Sequence, residues 1–85
     1  MAYNVTILPR AQKELAQIAN PAFTRTVAAI RALAQNPRPP GCIKLTNRPG
    51  WRIRAGEYRV VYNIDDPAQT VTVVHIAHRR DVHRA

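Results

Sequence analysis

This sequence predicts an α+β domain of two layers, an antiparallel sheet packed on one face by an N-terminal pair of helices. Residues 51–62, WRIRAGEYRVVY, alternate apolar and polar side chains in two runs around a glycine, the pattern of a β-hairpin with one buried face. Residues 70–77, TVTVVHIA, are β-branched and apolar on both sides, as expected of a strand inside a sheet. Ahead of both, apolar residues recur at helical spacing in two stretches parted by Asn20-Pro21.

Taken in order, Tyr3 to Leu8 reads as a first strand, with Val5 and Ile7 on one side and Asn4 and Thr6 on the other. Pro9 opens a helix at the position where its missing N–H does no harm. Leu8, Ala11, Leu15 and Ile18 mark the buried side of that helix. Asn20 is expected as the N-cap of a second helix and Pro21 as its first residue, with Phe23, Val27, Ile30 and Leu33 or Ala34 as the buried stripe. That helix ends at Asn36-Pro37, and PRPPG (37–41) follows as a stiff connector. Ile43 and Leu45 resume a short extended segment, broken at 47–50. Ala55-Gly56 reverses the hairpin, 65–69 form a turn, and HRRDVHRA (78–85) is a basic tail. The order β-α-α-β-β-β gives the two-layer arrangement.

The 85 residues make one domain, 1–85, with 46% hydrophobic residues for a modest core. A single cysteine, Cys42, excludes an intrachain disulfide and suits a reducing compartment. The N-terminus lacks the basic and apolar regions of a signal peptide, and no run reaches membrane-spanning length, so a cytoplasmic protein without a membrane partner is expected. No metal-ligand spacing and no phosphate-cradling glycine loop occurs, so neither metal nor cofactor is expected. Thirteen Lys and Arg against five Asp and Glu give a net charge of +8, which favours a nucleic acid or an acidic protein as partner.

The hairpin concentrates that charge. Alternation sets Arg52, Arg54 and Arg59 on the polar face, opposite Trp51, Ile53, Tyr58, Val60 and Tyr62, which belong to the core. The tail leaves the last strand nearby and brings His78, Arg79 and His83 to the same basic surface. His75, inside the apolar strand, reads as a hydrogen-bonded structural histidine, and Cys42 as inert.

AYNVTILPRAQKEL, WRIRAGEYRVVYNID and VVHIAHRRDVHR, in that order over essentially the whole chain, resemble the RelE/ParE superfamily of bacterial toxins from type II toxin–antitoxin pairs, and the RelE branch in particular. The combination of G-x-Y-R-V-V-Y with I-x-H-R-R-D-V further on is the specific part. The resemblance implies the two-layer RelE-like microbial ribonuclease fold, a cognate antitoxin as partner, and the cytoplasm of a bacterium or archaeon. It also implies an mRNA interferase that cuts messenger RNA in the ribosomal A site, without metal. The family has basic residues where Arg52 and Arg54 stand and arginines where Arg59 and Arg79 stand. It has a tyrosine where this chain has His83.

Cleavage by a ribose 2′-OH needs a base for its proton, positive charge for the phosphorane, and an acid for the leaving oxygen. On this reading Arg54, Arg59, Arg79 and His83 are catalytic, while Arg52, His78, Arg80 and Arg84 hold the RNA. Arginine stays protonated and serves poorly as a base. His83, then His78, then Glu57 are the groups left to move the proton. Two other functions fit the resemblance: a ParE-like toxin that poisons DNA gyrase by binding without hydrolysis, and a plain RNA-binding module. Retention of the arginines favours the nuclease, and the missing tyrosine points the other way.

Overall fold

The computed structural model describes residues 2–81. Among them the order is β1 (Asn4–Ile7), α1 (Pro9–Ala16), α2 (Ala22–Ala32), β2 (Ile43–Lys44), β3 (Trp51–Ala55), β4 (Tyr58–Asp65) and β5 (Thr70–His78). These strands form one sheet in the order β1-β5-β4-β3-β2. The sheet is mixed where an antiparallel one was expected, because β1 lies parallel to β5 from Asn4↔Thr70 to Ile7↔Val73. The helical pair between β1 and the rest of the chain supplies the long connection that a parallel pair requires. The remaining pairings are antiparallel.

Both helices lie on one face, α1 against β5 and α2 against β3 and β4. Ala11, Ile18, Ile30 and Leu33 meet Ile53, Val60, Tyr62, Val71, Val73 and Ile76 in the core. Two expectations about α2 fail. Pro21 already has helical backbone angles and occupies the cap position, and Asn20 Oδ1 accepts the Thr24 hydroxyl at 2.8 Å instead of a helix N–H. The buried stripe is Thr26, Ile30 and Leu33, with Phe23 exposed and Val27 half-buried. Thr26 can face the core because its hydroxyl donates to the Ala22 carbonyl at 2.8 Å, leaving its methyl outward to pack.

The hairpin turn is Gly56-Glu57, one residue later than read, so Ala55 stays in β3 and is buried. Gly56 has φ 60°, and the first position of a two-residue hairpin loop commonly demands that region. Gly50 is required for space as well as angle. At φ 121°, a Cβ would lie 3.0 Å from Asn63 Oδ1 and 3.2 Å from the Tyr62 carbonyl oxygen.

In β5 the register slips by one residue. Val61 pairs with His75 but Tyr62 pairs with Val73, so Val74 is an extra residue, a β-bulge. The bulge lets Val71, Val73 and Ile76 all face the core although they are spaced by two and then three residues. It also reverses the parity of everything after it. Without the bulge, Arg79 would share the face of Val71 and Val73; with it, Arg79 continues the face of Ala77 and Arg59.

Candidate functional site

Two rows of residues cross the face of the sheet away from the helices. The register sets Ile43, Arg52, Val61 and His75 in one row, and Arg54, Arg59 and Ala77 in the next. Past them the ladder closes with the Arg79 N–H donating to the Glu57 carbonyl at 2.7 Å. Arg52 and Arg59 are half-buried, while Arg54 and Arg79 are exposed. Arg52, Arg54 and Arg59, with Gly41 and Ile43, line a cavity of about 250 Å³.

Electrostatics show how close these cations stand. Burial, and then the charges of Arg54, Arg52 and Arg79, push the Arg59 guanidinium below its ordinary value, with Glu57 opposing. An arginine remains charged at neutral pH even so. Arg59 Nη1 donates to the Tyr58 carbonyl at 3.4 Å, a long bond that leaves the other donors of its guanidinium for a ligand. The face is therefore a concentration of fixed positive charge with fork-shaped donors, suited to the oxygens of a phosphodiester.

At the hairpin end, Glu57 Oε2 lies 3.1 Å from Arg79 Nε and 3.5 Å from His78 Nε2. His78 Nδ1 accepts the Arg80 N–H at 3.3 Å, so the ring carries its proton on Nε2, towards Glu57. The register aligns His78 with Tyr58, on the helix-facing side of the sheet, and its ring meets the Tyr58 ring edge-on at 5.4 Å. That departs from the expectation of His78 on the arginine face; the bulge at Val74 is the reason. Arg80 is exposed in the turn after β5. His83 and Arg84 lie outside the described residues.

His75 is the structural histidine its context implied. Its Nδ1 lies 2.8 Å and 3.0 Å from the two carboxylate oxygens of Glu14, and Glu14 Oε1 also accepts the Ile76 N–H at 2.9 Å. β1 ends at Ile7, opposite Val73, so the Glu14 carboxylate continues the pairing of the β5 edge where β1 stops. Sequence reasoning missed both Glu14 and the part that Gly41 and Ile43 play in the arginine cavity. Their only signal is position: Glu14 on the helix that follows β1, and Gly41 closing a proline-rich connector.

Among the described residues no three His, Cys, Asp or Glu come together as a metal site would require, and no helix is long and apolar enough to cross a membrane. The family model described as the ParE toxin of the type II toxin–antitoxin system, parDE, matches residues 5–83. No curated protein matches the chain. Among solved structures, the archaeal RelE–RelB complex from Pyrococcus horikoshii OT3 is 25% identical over 93% of this chain and 97% of that one, with a TM-score of 0.82. The toxin–antitoxin complex RelBE2 from Mycobacterium tuberculosis is 25% identical over 95% of each chain, with a TM-score of 0.83. A mutant of the E. coli toxin RelE in the free state shares the fold at 23% identity, covering 98% of this chain and 90% of that one, with a TM-score of 0.78.

Proposed function

The chain belongs to the ParE toxin family of type II toxin–antitoxin systems, and from that premise we propose that it is a ribosome-dependent endoribonuclease cutting messenger RNA in the A site. The observation that carries this reading is the convergence of Arg52, Arg54 and Arg59 on one cavity, with Arg79 near enough to perturb Arg59. Binding without chemistry would not call for a partly buried guanidinium, Arg59, set opposite a second arginine across one strand pair. Stabilising a phosphorane does, since its added negative charge is worth most to donors held in place and partly out of water.

In the reaction, the 2′-oxygen forms a bond to phosphorus while the bond to the 5′-oxygen breaks, leaving a cyclic phosphate and a 5′-OH. Arg59 and Arg54 hold the equatorial oxygens, and Arg52 and Arg79 the flanking phosphates. Arg80 and Arg84 add further contacts to the RNA backbone. Of the three groups able to move protons, Glu57 is paired with both His78 and Arg79. That leaves His83, in the place of the family's tyrosine, as the assigned acid–base group. The ribosome supplies the in-line geometry of the message. The toxin acts in the cytoplasm and is held inactive by a cognate antitoxin. Two of the solved relatives are complexes with RelB or of a toxin with its antitoxin, and a net charge of +8 suits an acidic wrapping segment.

A ParE-like reading, gyrase poisoning without hydrolysis, is favoured by the description of the matching family. Primer extension on a translating reporter message, with purified ribosomes and antitoxin-free toxin, separates the two. Cuts within A-site codons that vanish without ribosomes support the nuclease. An intact message with translation running, together with inhibited DNA supercoiling by gyrase, would transfer the assignment to the second reading.

A further inference from the structure

A second cavity adjoins the arginine cavity, and its walls differ in kind. It measures about 460 Å³ and lies between α2 and the connector, walled by Ala29 and Ala32 on one side and Pro39 and Pro40 on the other, with Ile53 at its floor. Gly41, Ile53 and Arg54 border both cavities. Two features of the chain leave the edge of β3 open beside these shared residues. β2 pairs only with Trp51 and Arg52, so no strand continues β3 outward beyond Arg52. Gly41 turns there with φ 90°, and a Cβ in its place would meet nothing within 4 Å.

We propose that this apolar cavity is a subsite for one base of the bound RNA, next to the phosphate held by Arg52, Arg54 and Arg59. The inference rests on the nuclease reading above and deepens it. RNA presents an anionic phosphate and a flat, largely apolar base in regular alternation. A cationic cavity of about 250 Å³ that shares wall residues with an apolar one of about 460 Å³ matches that alternation. The proline rings and alanine methyls offer apolar surface to a base face without hydrogen-bonding groups to read its edge. The subsite therefore selects for the presence and size of a base, purines above pyrimidines, rather than for one sequence. Arg54, common to both cavities, ties base and phosphate into one register.

The test uses the full-length toxin free of antitoxin and 2′-O-methyl RNA oligomers, which lack the attacking hydroxyl and so report binding alone. Affinity is measured by fluorescence anisotropy as the oligomer grows from a dinucleotide, one nucleotide at a time. Ala32→Leu and Ala29→Leu fill the cavity without replacing an arginine, and Ala28→Leu, on exposed α2 surface outside it, is the control. One step in the series is expected to tighten binding roughly fivefold to tenfold. That step should vanish in Ala32→Leu and Ala29→Leu, persist in Ala28→Leu, and vanish for the parent toxin when that nucleotide is made abasic. The proposal is overturned if the filled variants keep the step, or if an abasic sugar supports it, since backbone charge would then account for the gain. It is also overturned if the filled variants lose only antitoxin binding. Failure of the parent toxin to bind any oligomer would also overturn the subsite, while A-site cuts in the primer-extension assay would leave the nuclease reading standing.

Discussion

Arg54 and Arg59 stand directly opposite one another across β3 and β4. Like charges in such cross-strand positions destabilise a sheet by roughly 0.2–1 kcal/mol, and burial first, with the Arg54 charge next, lowers the pKa of Arg59. Arg59→Met should therefore raise the melting temperature at low salt. About 1 kcal/mol corresponds to roughly 4–8 °C in a domain of this size, so a gain of up to a few degrees is expected. The gain should shrink at high salt as the repulsion is screened. Cleavage should fall roughly a hundredfold or more, as for the loss of one transition-state donor. Thermal unfolding at two salt concentrations checks the first part, and a variant less stable than its parent at low salt would refute it.

Glu57 holds Arg79 by Nε at 3.1 Å, and both side chains are more than half exposed. An incoming phosphate must compete with that carboxylate. Glu57→Gln should bind RNA more tightly than the parent. The slope of log K against log salt should steepen by up to ~0.7, the signature of one more neutralised phosphate on a single strand. Weaker binding by the variant would show instead that Glu57 aligns Arg79 for the RNA rather than competing for it.

The hairpin face was legible because alternation needs nothing beyond the sequence: Arg52, Arg54 and Arg59 fall together wherever 51–62 pairs with itself. The far side of the site was not. Whether Arg79 or His78 points to the arginines depends on parity along β5, and one extra residue, Val74, inverts it. The clue was present in the apolar spacing, Val71 and Val73 and then Ile76, a gap of three that a regular strand cannot bury on one face. The parallel pairing of β1 carried no comparable signal, because the alternation of Val5 and Ile7 is the same in either direction. Thr26 replaced Phe23 in the core because a threonine that bonds back to its own helix buries no unsatisfied hydroxyl, a saving that apolar periodicity does not count.

Glu14 joins α1 to the strand that leads into Arg79, through His75 and the Ile76 N–H. Hydrogen bonds to a charged group contribute roughly 1.5–3 kcal/mol. Glu14→Ala should lower the melting temperature accordingly, at roughly 4–8 °C per kcal/mol. Its specific mark is amide exchange: the Ile76 N–H should lose protection while the Val60 and Tyr62 amides on β4 keep theirs. Unchanged exchange at Ile76 would show that the carboxylate is not what protects the β5 edge. At temperatures well below melting, RNA cleavage should persist, because none of the arginines is touched.

The connector that walls both cavities is tied down at two points of different chemistry. Tyr62, fully buried, donates its hydroxyl to the Pro37 carbonyl at 2.7 Å. Asp66 accepts Arg38 Nη1 and Nη2 at 3.2 and 2.8 Å and the Tyr3 hydroxyl at 2.7 Å. The Arg38 bond first, and Tyr3 second, pull the Asp66 carboxyl down to about 2. Because its folded pKa lies below the unfolded value of ~3.9, the contribution of Asp66 is whole above that value and drains away as pH falls towards 2. Wild type and Asp66→Asn should therefore differ in urea midpoint by a constant amount from neutral pH down to about 4 and converge below it. Half-exposed partners make the difference small and salt-sensitive, so its pH course, not its size, is the test. A gap that stays open at the lowest pH would mean that the asparagine variant is weakened for a reason other than lost charge. RNA binding near neutral pH should change little in the variant, since the Tyr62 bond still holds the connector against β4 and keeps the walls of both cavities in place.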